Sequence, residues 1–172
     1  MRRVVFGLGA NLGDRIAALQ GAIDLIAPHL ADPQVSSVYE TAPVGGPEQP
    51  DYANAILLGE SDATADELLA LAQRVEQAWH RTRAVRWGPR TLDVDIVSID
   101  GVTSSDPALT LPHPRAADRG FVLIPWAEAD PEATFPDGSL VSALAREAAK
   151  RDGAMSVRPL RDVTLVLPVA PR

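Results

Sequence analysis

The order of its predicted elements places this chain in the α+β class. Three observations support that class: strand-like alternation of apolar residues, helix-like repeats of apolar residues, and the order in which the two kinds of segment follow one another. The predicted elements are strand 3–8, helix 14–27, strand 35–40, strand 52–59, helix 65–79 and strand 91–99. This βαββαβ order is the ferredoxin-like pattern, an antiparallel sheet with helices on one face. We expect extra short helices after it.

The two helices are predicted from apolar residues that recur three or four positions apart, which places them on one helix face. In the first helix these are Ile16, Leu19, Ile23 and Ile26, and in the second they are Leu68, Leu69, Leu71, Ala72, Val75 and Trp79. We therefore expect both helices to pack on the sheet through these residues, with Trp79 as an ordinary core aromatic.

The remaining segments complete a single predicted domain, 1–172. Proline and glycine are frequent in 43–50, which predicts a loop. Apolar runs predict two further helices, a short buried one over 121–129 and another over 139–150. In the C-terminal tail, 153–172, the alternation of Val163, Leu165 and Leu167 predicts an edge strand.

Composition excludes several classes of protein. The chain has 172 residues, of which 46% are hydrophobic, as expected for a globular domain with a sizeable core. No run approaches the roughly 20 apolar residues of a membrane span, and the N-terminus shows no signal peptide. A net charge of −7 argues against general nucleic-acid binding, and the absence of cysteine excludes thiolate chemistry. We expect a cytoplasmic monomer that acts on small molecules.

The lysine and glycine patterns restrict how this chain could bind a nucleotide. Its single lysine, Lys150, lies in Ala-Lys-Arg-Asp, so the chain lacks the Gly-Lys-Ser/Thr of a P-loop. Gly7, Gly9 and Gly13 are spaced G-x-G-x-x-x-G, which does not match the dinucleotide-binding pattern and indicates a tight strand-to-helix turn. If the chain binds nucleotide phosphates, it must do so through groups other than a P-loop or a dinucleotide-binding glycine motif.

Two aspartates stand close together in the strand predicted over 91–99. Side chains two residues apart share one face of a strand and lie roughly 6.6 Å apart along it. Asp93 and Asp95 therefore present paired carboxylates, a donor type that suits Mg²⁺. The apolar residues that alternate with them, and that we expect to face the core, are Leu92, Val94 and Ile96.

An arginine-rich loop precedes this strand. It contains Arg81, Arg83, Arg86 and Arg90, with Trp87 beside a Gly-Pro pair. Guanidinium groups are planar forks that match phosphate oxygens. A bare Asp-x-Asp is more often a solvated acidic strand face, but carboxylates for a metal next to arginines for phosphate favour phosphoryl transfer.

Five motifs give the chain a family resemblance over about 4–142. They are Gly-Ala-Asn-Leu-Gly at 9–13, Gln-Pro-Asp-Tyr-Ala-Asn-Ala at 49–55, Arg-Trp-Gly-Pro-Arg-Thr-Leu-Asp-Val-Asp-Ile at 86–96, Leu-Pro-His-Pro-Arg at 111–115 and Arg-Gly-Phe at 119–121. In this order they resemble the 6-hydroxymethyl-7,8-dihydropterin pyrophosphokinases. The resemblance implies a ferredoxin-like fold and pyrophosphoryl transfer from ATP to the pterin hydroxymethyl group in folate biosynthesis, with AMP released and two Mg²⁺ ions used.

The same resemblance implies roles for individual residues. For the metal ions it implies Asp93 and Asp95, with Asp95 also catalytic. For catalysis it implies Arg81, Arg83 and Arg90, and for ATP it implies Gln73, Glu76, Trp87, His113 and Arg119. For the pterin it implies Thr41, Val44, Tyr52, Asn54 and Phe121. Tyr52 and Phe121 would stack on the flat pterin, and Asn54 would contact its polar edge.

Two other classes of function remain open from the residues alone. A two-metal nucleotidyltransferase or sugar transferase could use the same Asp-x-Asp, although it would give no reason for the convergence of Tyr52, Asn54 and Phe121. A ferredoxin-like regulatory module would leave the arginines beside the two aspartates unexplained. Binding of a pterin separates the first alternative from the pyrophosphokinase, and metal-dependent ATP binding separates the second.

Overall fold

The computed structural model describes residues 1–43, 48–80 and 92–170. The strands are β1 Arg2–Ala10, β2 Ala31–Val35, β3 Tyr39–Thr41, β4 Tyr52–Ser61, β5 Asp93–Ile99, β6 Ser104–Asp106, β7 Leu109–Leu111 and β8 Val157–Pro159. The α-helices are α1 Arg15–Ile26, α2 Ala65–His80, α3 Gly120–Ala129 and α4 Val141–Asp152. These bounds agree closely with the predicted helices and with three of the four strands of the predicted βαββαβ core.

The main sheet is antiparallel and has the order β5-β1-β4-β3-β8, with β2 also paired to β4. At the centre β1 pairs with β4 along the whole length of β1, and β5 forms one edge. The βαββαβ order and the α+β class are therefore confirmed. A separate β6–β7 hairpin follows β5 and was not predicted.

The first helices begin where their sequences favour it. The Asp14 side chain accepts a hydrogen bond from the backbone N–H of Ala17 at 3.0 Å, which caps α1. Before α2, Thr64 and Glu67 bond to each other's backbone N–H groups at 2.8 and 3.2 Å, a reciprocal capping box. Both caps fix the start of a helix whose apolar face then packs on the sheet.

Helices cover both faces of the sheet, in two separate cores. The apolar sides of α1 and α2 pack on one face, as predicted, together with residues of β1, β4 and β5 such as Phe6, Leu57 and Ile96. The additional helices α3 and α4 pack on the other face, where Ile56, Val97 and Trp126 meet. Trp79 packs against the first core, which confirms its structural role.

The strand predicted over 35–40 is wrong as a continuous strand. Val35 pairs with Leu57 and Tyr39 pairs with Asn54, so four steps along this chain oppose three along β4. The extra residue breaks the ladder into β2 and β3, as in a β-bulge. Ser36 bridges the break: its N–H donates to Ile56 O at 2.9 Å, and its hydroxyl accepts from Ile56 N at 2.8 Å.

The tail 153–172 contains the predicted edge strand, but this strand is β8 and does not comprise the alternating residues 163–167. The sheet edge is β8, which pairs with β3, and 163–167 lies outside any strand. Leu165 is buried in the first core, but the backbone of Val166 bonds to the Gln20 side-chain amide, as donor at 2.9 Å and as acceptor at 2.7 Å. The alternation therefore reflects burial against α1 without strand pairing. No helix in the described ranges has both the length and the apolar character needed to cross a membrane.

Candidate active site

The candidate site rests on three neighbouring strands of the sheet. Across β5, β1 and β4, Asp93 is opposite Gly9 and Gly9 is opposite Asn54. Paired residues of an antiparallel sheet point to the same face. Because the central residue is glycine, no side chain separates the carboxylate from the carboxamide. A Cβ added at Gly9 would lie only 3.2 Å from Asn54 Oδ1. The sheet thus forms an open floor with an acidic and an amide side.

A second row repeats the arrangement one pleat further along. Asp95 is opposite Gly7, and Gly7 is opposite Ile56. Asp95 is exposed and Asp93 is half-buried, whereas the alternating residues Leu92, Val94 and Ile96 are buried in the first core. The predicted orientation of this strand is therefore confirmed, and both carboxylates lie on the face that α3 and α4 cover in part.

The paired carboxylates suit a metal that is completed by substrate oxygens. No cluster of three or more metal-binding side chains occurs in 1–43, 48–80 and 92–170. Mg²⁺ commonly takes one or two carboxylates and fills its other positions with water and substrate phosphates. Asp93 and Asp95 fit this kind of coordination, because the glycines opposite them leave space on the sheet for substrate and water.

A cavity of about 1100 Å³ lies over this floor. It brings together eight of the residues proposed from sequence: Thr41, Tyr52, Asn54, Asp93, Asp95, His113, Arg119 and Phe121. They come from β3, β4, β5, the segment after β7 and the start of α3. Residues far apart in the chain thus converge on one cavity.

The amide side of the cavity is held in a fixed orientation. Asn54 and Thr41 are each only 6% exposed, and Asn54 Nδ2 donates to Thr41 Oγ1 at 2.8 Å. This bond commits one amide N–H and leaves the carbonyl oxygen on the Gly9 side. Tyr52 and Phe121 line the same cavity and supply aromatic surface. Such a combination of flat apolar walls and an oriented amide suits a planar heteroaromatic ligand.

The cavity also carries cationic groups. His113 Nδ1 accepts the backbone N–H of Arg115 at 3.3 Å, which leaves Nε2 as the ring nitrogen that can contact a ligand. Arg115 and Arg119 also line the cavity. The guanidinium carbon of Arg119 lies 5.4 Å from the ring centroid of Phe121, a cation–π contact. These groups together can bind an anionic, multiply charged ligand.

One contact ties α3 to the sheet beside Asn54. Glu128 near the end of α3 accepts hydrogen bonds from the backbone and hydroxyl of Ser37 at 2.6 and 2.7 Å. Burial and the neighbouring Glu128 carboxylate raise the pKa of Tyr39 to about 12. The Tyr39 phenol therefore stays protonated near neutral pH. These contacts hold α3, which begins next to Phe121, over the cavity.

Comparison with known proteins decides the family. The model of the 7,8-dihydro-6-hydroxymethylpterin-pyrophosphokinase family matches residues 5–131. The chain belongs to this family. It is therefore an enzyme of the pyrophosphokinase class, which weighs against both the nucleotidyltransferase and the regulatory-module alternatives.

Relatives and solved structures agree with this assignment. The chain is 39% identical to a Mycobacterium tuberculosis 2-amino-4-hydroxy-6-hydroxymethyldihydropteridine pyrophosphokinase, over 99% of this chain and 97% of the relative. It is 43% identical to a Bacillus subtilis protein of the same name, over 70% and 74% of the two chains. Its fold resembles wild-type Plasmodium falciparum HPPK-DHPS with SDX-DHP, with a TM-score of 0.68 and 12% identity. That match covers 92% of this chain but only 47% of the longer one.

Some residues proposed from sequence lie elsewhere in this pyrophosphokinase. Gln73 is exposed on α2 and does not line the cavity. Glu76 does not line it either: its Oε1 accepts the backbone N–H of Val94 at 2.8 Å, between the two aspartates on the free edge of β5. Glu76 thus supports the strand that carries the carboxylates. Five other proposed residues lie outside the described residues: Val44, Arg81, Arg83, Trp87 and Arg90.

The structure also adds residues that sequence reasoning missed. The cavity lining includes Arg151, Asp152, Ser156, Val157 and Arg158, at the end of α4 and in β8. These residues carry no recognisable motif, and their place depends on the pairing of β8 with β3.

An ion-pair network lies beside the cavity, where β3 and β8 pair. Glu40 accepts from Arg158 at 3.0 Å and from Arg15 at 2.9 Å, and Arg158 also reaches Asp51 at 3.1 Å. The Arg158 guanidinium, followed by Arg15, holds the pKa of Glu40 below its usual value. The network thus keeps a carboxylate ionised at the stem of the β3–β4 connection.

The lowered pKa of Glu40 predicts a pH-dependent contribution to stability. A carboxylate with a depressed folded-state pKa stabilises the fold above its unfolded-state value, and this contribution is lost as the pH falls through the folded-state pKa. We expect Glu40→Gln to lower the free energy of unfolding by about 0.5–1 kcal/mol near pH 7, because the pairs are partly exposed. The difference from the native protein should shrink towards zero as the pH falls through the folded-state pKa of Glu40.

Denaturant unfolding of both proteins across this pH range measures the effect. Glu132→Gln is the matched control, because Glu132 is exposed and outside the network. A difference between native and Glu40→Gln proteins that stays constant with pH would contradict the prediction.

Proposed function

We propose that this protein transfers the pyrophosphoryl group of ATP to the hydroxymethyl group of 6-hydroxymethyl-7,8-dihydropterin, giving the pterin diphosphate and AMP in folate biosynthesis. Family membership supports this reaction. The observation that carries it is the row Asn54–Gly9–Asp93, in which an oriented amide faces a carboxylate across a bare glycine. A pterin at the amide would direct its hydroxymethyl group towards the acidic side.

The pterin would lie between the aromatic and amide groups of the cavity. Its flat ring suits the surfaces of Tyr52 and Phe121, and its polar edge suits the carboxamide of Asn54. Because Asn54 is buried and already bonded to Thr41, it does not need to reorder when the ligand binds. Preorganisation of this kind strengthens binding by lowering its entropic cost.

ATP would lie on the acidic and cationic sides of the same cavity. We propose that Asp93 and Asp95 hold two Mg²⁺ ions, which when bound neutralise the charge that develops on the transferred phosphates. His113, through Nε2, and Arg119 would bind phosphate oxygens. Gln73, Glu76 and Trp87 remain proposals for the nucleotide.

Catalysis would consist mainly of positioning and charge neutralisation, as in phosphoryl transfer generally. Asp95 contributes a fixed negative charge beside the reacting groups, and Arg81, Arg83 and Arg90 remain proposals for contacts to the transferred group. Val44 remains a proposal for the pterin pocket. We further propose that the enzyme acts in the cytoplasm as a single-domain monomer, without nucleic-acid or membrane partners.

Product analysis tests which phosphorus atom is attacked. Attack at the β-phosphorus transfers two phosphates and leaves AMP, so incubation with ATP, Mg²⁺ and the pterin should give AMP and pterin diphosphate in equal amounts. Chromatography of the nucleotides and pterins measures both. ADP as the main product would indicate simple kinase chemistry, and no pterin-dependent turnover would reject the proposed acceptor.

A further inference from the structure

The edge strand β8 lies outside the residues that the family model matches. That model ends at 131, whereas β8 comprises Val157–Pro159. β8 pairs with β3, which places Val157 opposite Thr41 and Arg158 opposite Glu40. The C-terminal region therefore pairs directly with β3, the strand that contains Thr41. Thr41 lines the cavity and is hydrogen-bonded to Asn54.

Two carboxylates meet on the guanidinium of Arg158. One is Glu40, at 3.0 Å, and the other is Asp51, at 3.1 Å. Arg15 reinforces both positions, because it reaches the Glu40 carboxylate at 2.9 Å and the backbone carbonyl of Asp51 at 2.8 Å. Arg158 is thus the cation that joins the two carboxylates, one before and one after the β3–β4 connection.

Each of these carboxylates is the chain neighbour of a cavity residue. Glu40 precedes Thr41, and Asp51 precedes Tyr52. Adjacent residues of a strand point to opposite faces, and Thr41 and Val157 line the cavity as a directly opposed pair. Glu40 therefore lies on the other face of the sheet, where Arg15 of α1 also reaches it, and Arg158, at the sheet edge, both pairs with Glu40 and lines the cavity.

From this geometry we propose that Arg158 is a positioning residue for the pterin site. Its bridge from Glu40 to Asp51 fixes the backbone on both sides of the connection, and so holds the end of the β3–β4 ladder, where Thr41 pairs with Tyr52. The inference rests on the proposed function, because it assigns those two residues to the pterin.

The exposure of the three charged side chains indicates that the bridge contributes to local order more than to global stability. The side chains of Arg158, Glu40 and Asp51 are 33%, 21% and 39% exposed. Ion pairs this accessible to water contribute little to global stability. Loss of the bridge should therefore change the local order of two short segments, 39–43 and 48–52, far more than it changes the melting temperature.

The test compares Arg158→Gln and Arg158→Lys with Arg161→Gln, an exposed arginine of the same segment that makes no part of the network. We expect Arg158→Gln to raise the pterin KM about tenfold, while kcat and the ATP KM stay within about twofold of those of Arg161→Gln. Arg158→Lys should give a pterin KM between those of the native enzyme and Arg158→Gln, because lysine keeps the charge but not the planar fork. A pterin KM for Arg158→Gln within twofold of the control, or an equal rise in both KM values, would overturn the proposal.

Hydrogen–deuterium exchange of the ligand-free proteins gives a readout that does not depend on activity. Amides at Thr41, Ala42, Asp51 and Tyr52 should exchange faster in Arg158→Gln than in Arg161→Gln, and adding Asp51→Asn to Arg158→Gln should produce little further change. Equal exchange in the two single variants would overturn the positioning role. If the native enzyme does not use the pterin, the proposed function fails by itself, and the exchange data still decide whether Arg158 orders these segments.

Discussion

Replacing Asp95 with asparagine is expected to lower kcat by about 10²- to 10⁴-fold at saturating Mg²⁺. The substitution keeps the shape of the side chain and removes one negative charge from the acidic side of the cavity. Asp95 is exposed on the edge strand β5, opposite Gly7, whereas its chain neighbours Val94 and Ile96 are buried in the core. The free energy of unfolding should therefore change by no more than about 0.5 kcal/mol.

Steady-state kinetics across a Mg²⁺ titration, together with denaturant unfolding, measures both quantities. Asp100→Asn is the matched control, because Asp100 is an exposed aspartate just after β5 and does not line the cavity. We expect the control to keep its native kcat. Near-native turnover of Asp95→Asn at saturating Mg²⁺ would show that this residue belongs only to a solvated acidic strand face.

The order of the fold was predictable because its main elements are long and strongly periodic. The apolar residues that repeat in α1 and α2 and alternate in β5 are buried together in the first core. The break after Val35 was not predictable, because it depends on one extra residue opposite β4. The error at 163–167 has a related cause: alternation reports which side chains are buried, but not whether the backbone finds its partner in a strand or in Gln20.

The candidate site was predictable where its residues belong to local motifs. Asn54, His113 and Phe121 come from short segments with distinctive sequences, and the structure brings them to one cavity. Arg158 had no such signal, because its bond to Glu40 joins residues 118 positions apart and exists only through strand pairing. Glu76 was assigned to the nucleotide from the resemblance, whereas in the structure it accepts a hydrogen bond from the backbone of β5.

Replacing Asn54 with leucine is expected to raise the pterin KM by about 10- to 100-fold. Leucine has nearly the same shape but cannot bond to the polar edge of a pterin, so a ligand group would be buried without a partner. Asn54 lies on β4 and, in the proposed arrangement, contacts the pterin and not the nucleotide. The ATP KM should therefore stay near its native value.

Thr41→Val distinguishes contact with the ligand from orientation of the amide. Valine keeps the size of the side chain but removes the hydroxyl that accepts from Asn54 Nδ2 at 2.8 Å. The carboxamide remains and loses only the bond that orients it, so we expect a smaller rise in the pterin KM, about threefold. Initial rates and direct pterin binding should rank the proteins as native, Thr41→Val and then Asn54→Leu. If Thr41→Val instead weakens pterin binding more than Asn54→Leu, then the hydroxyl is the group that contacts the ligand and the amide only supports it.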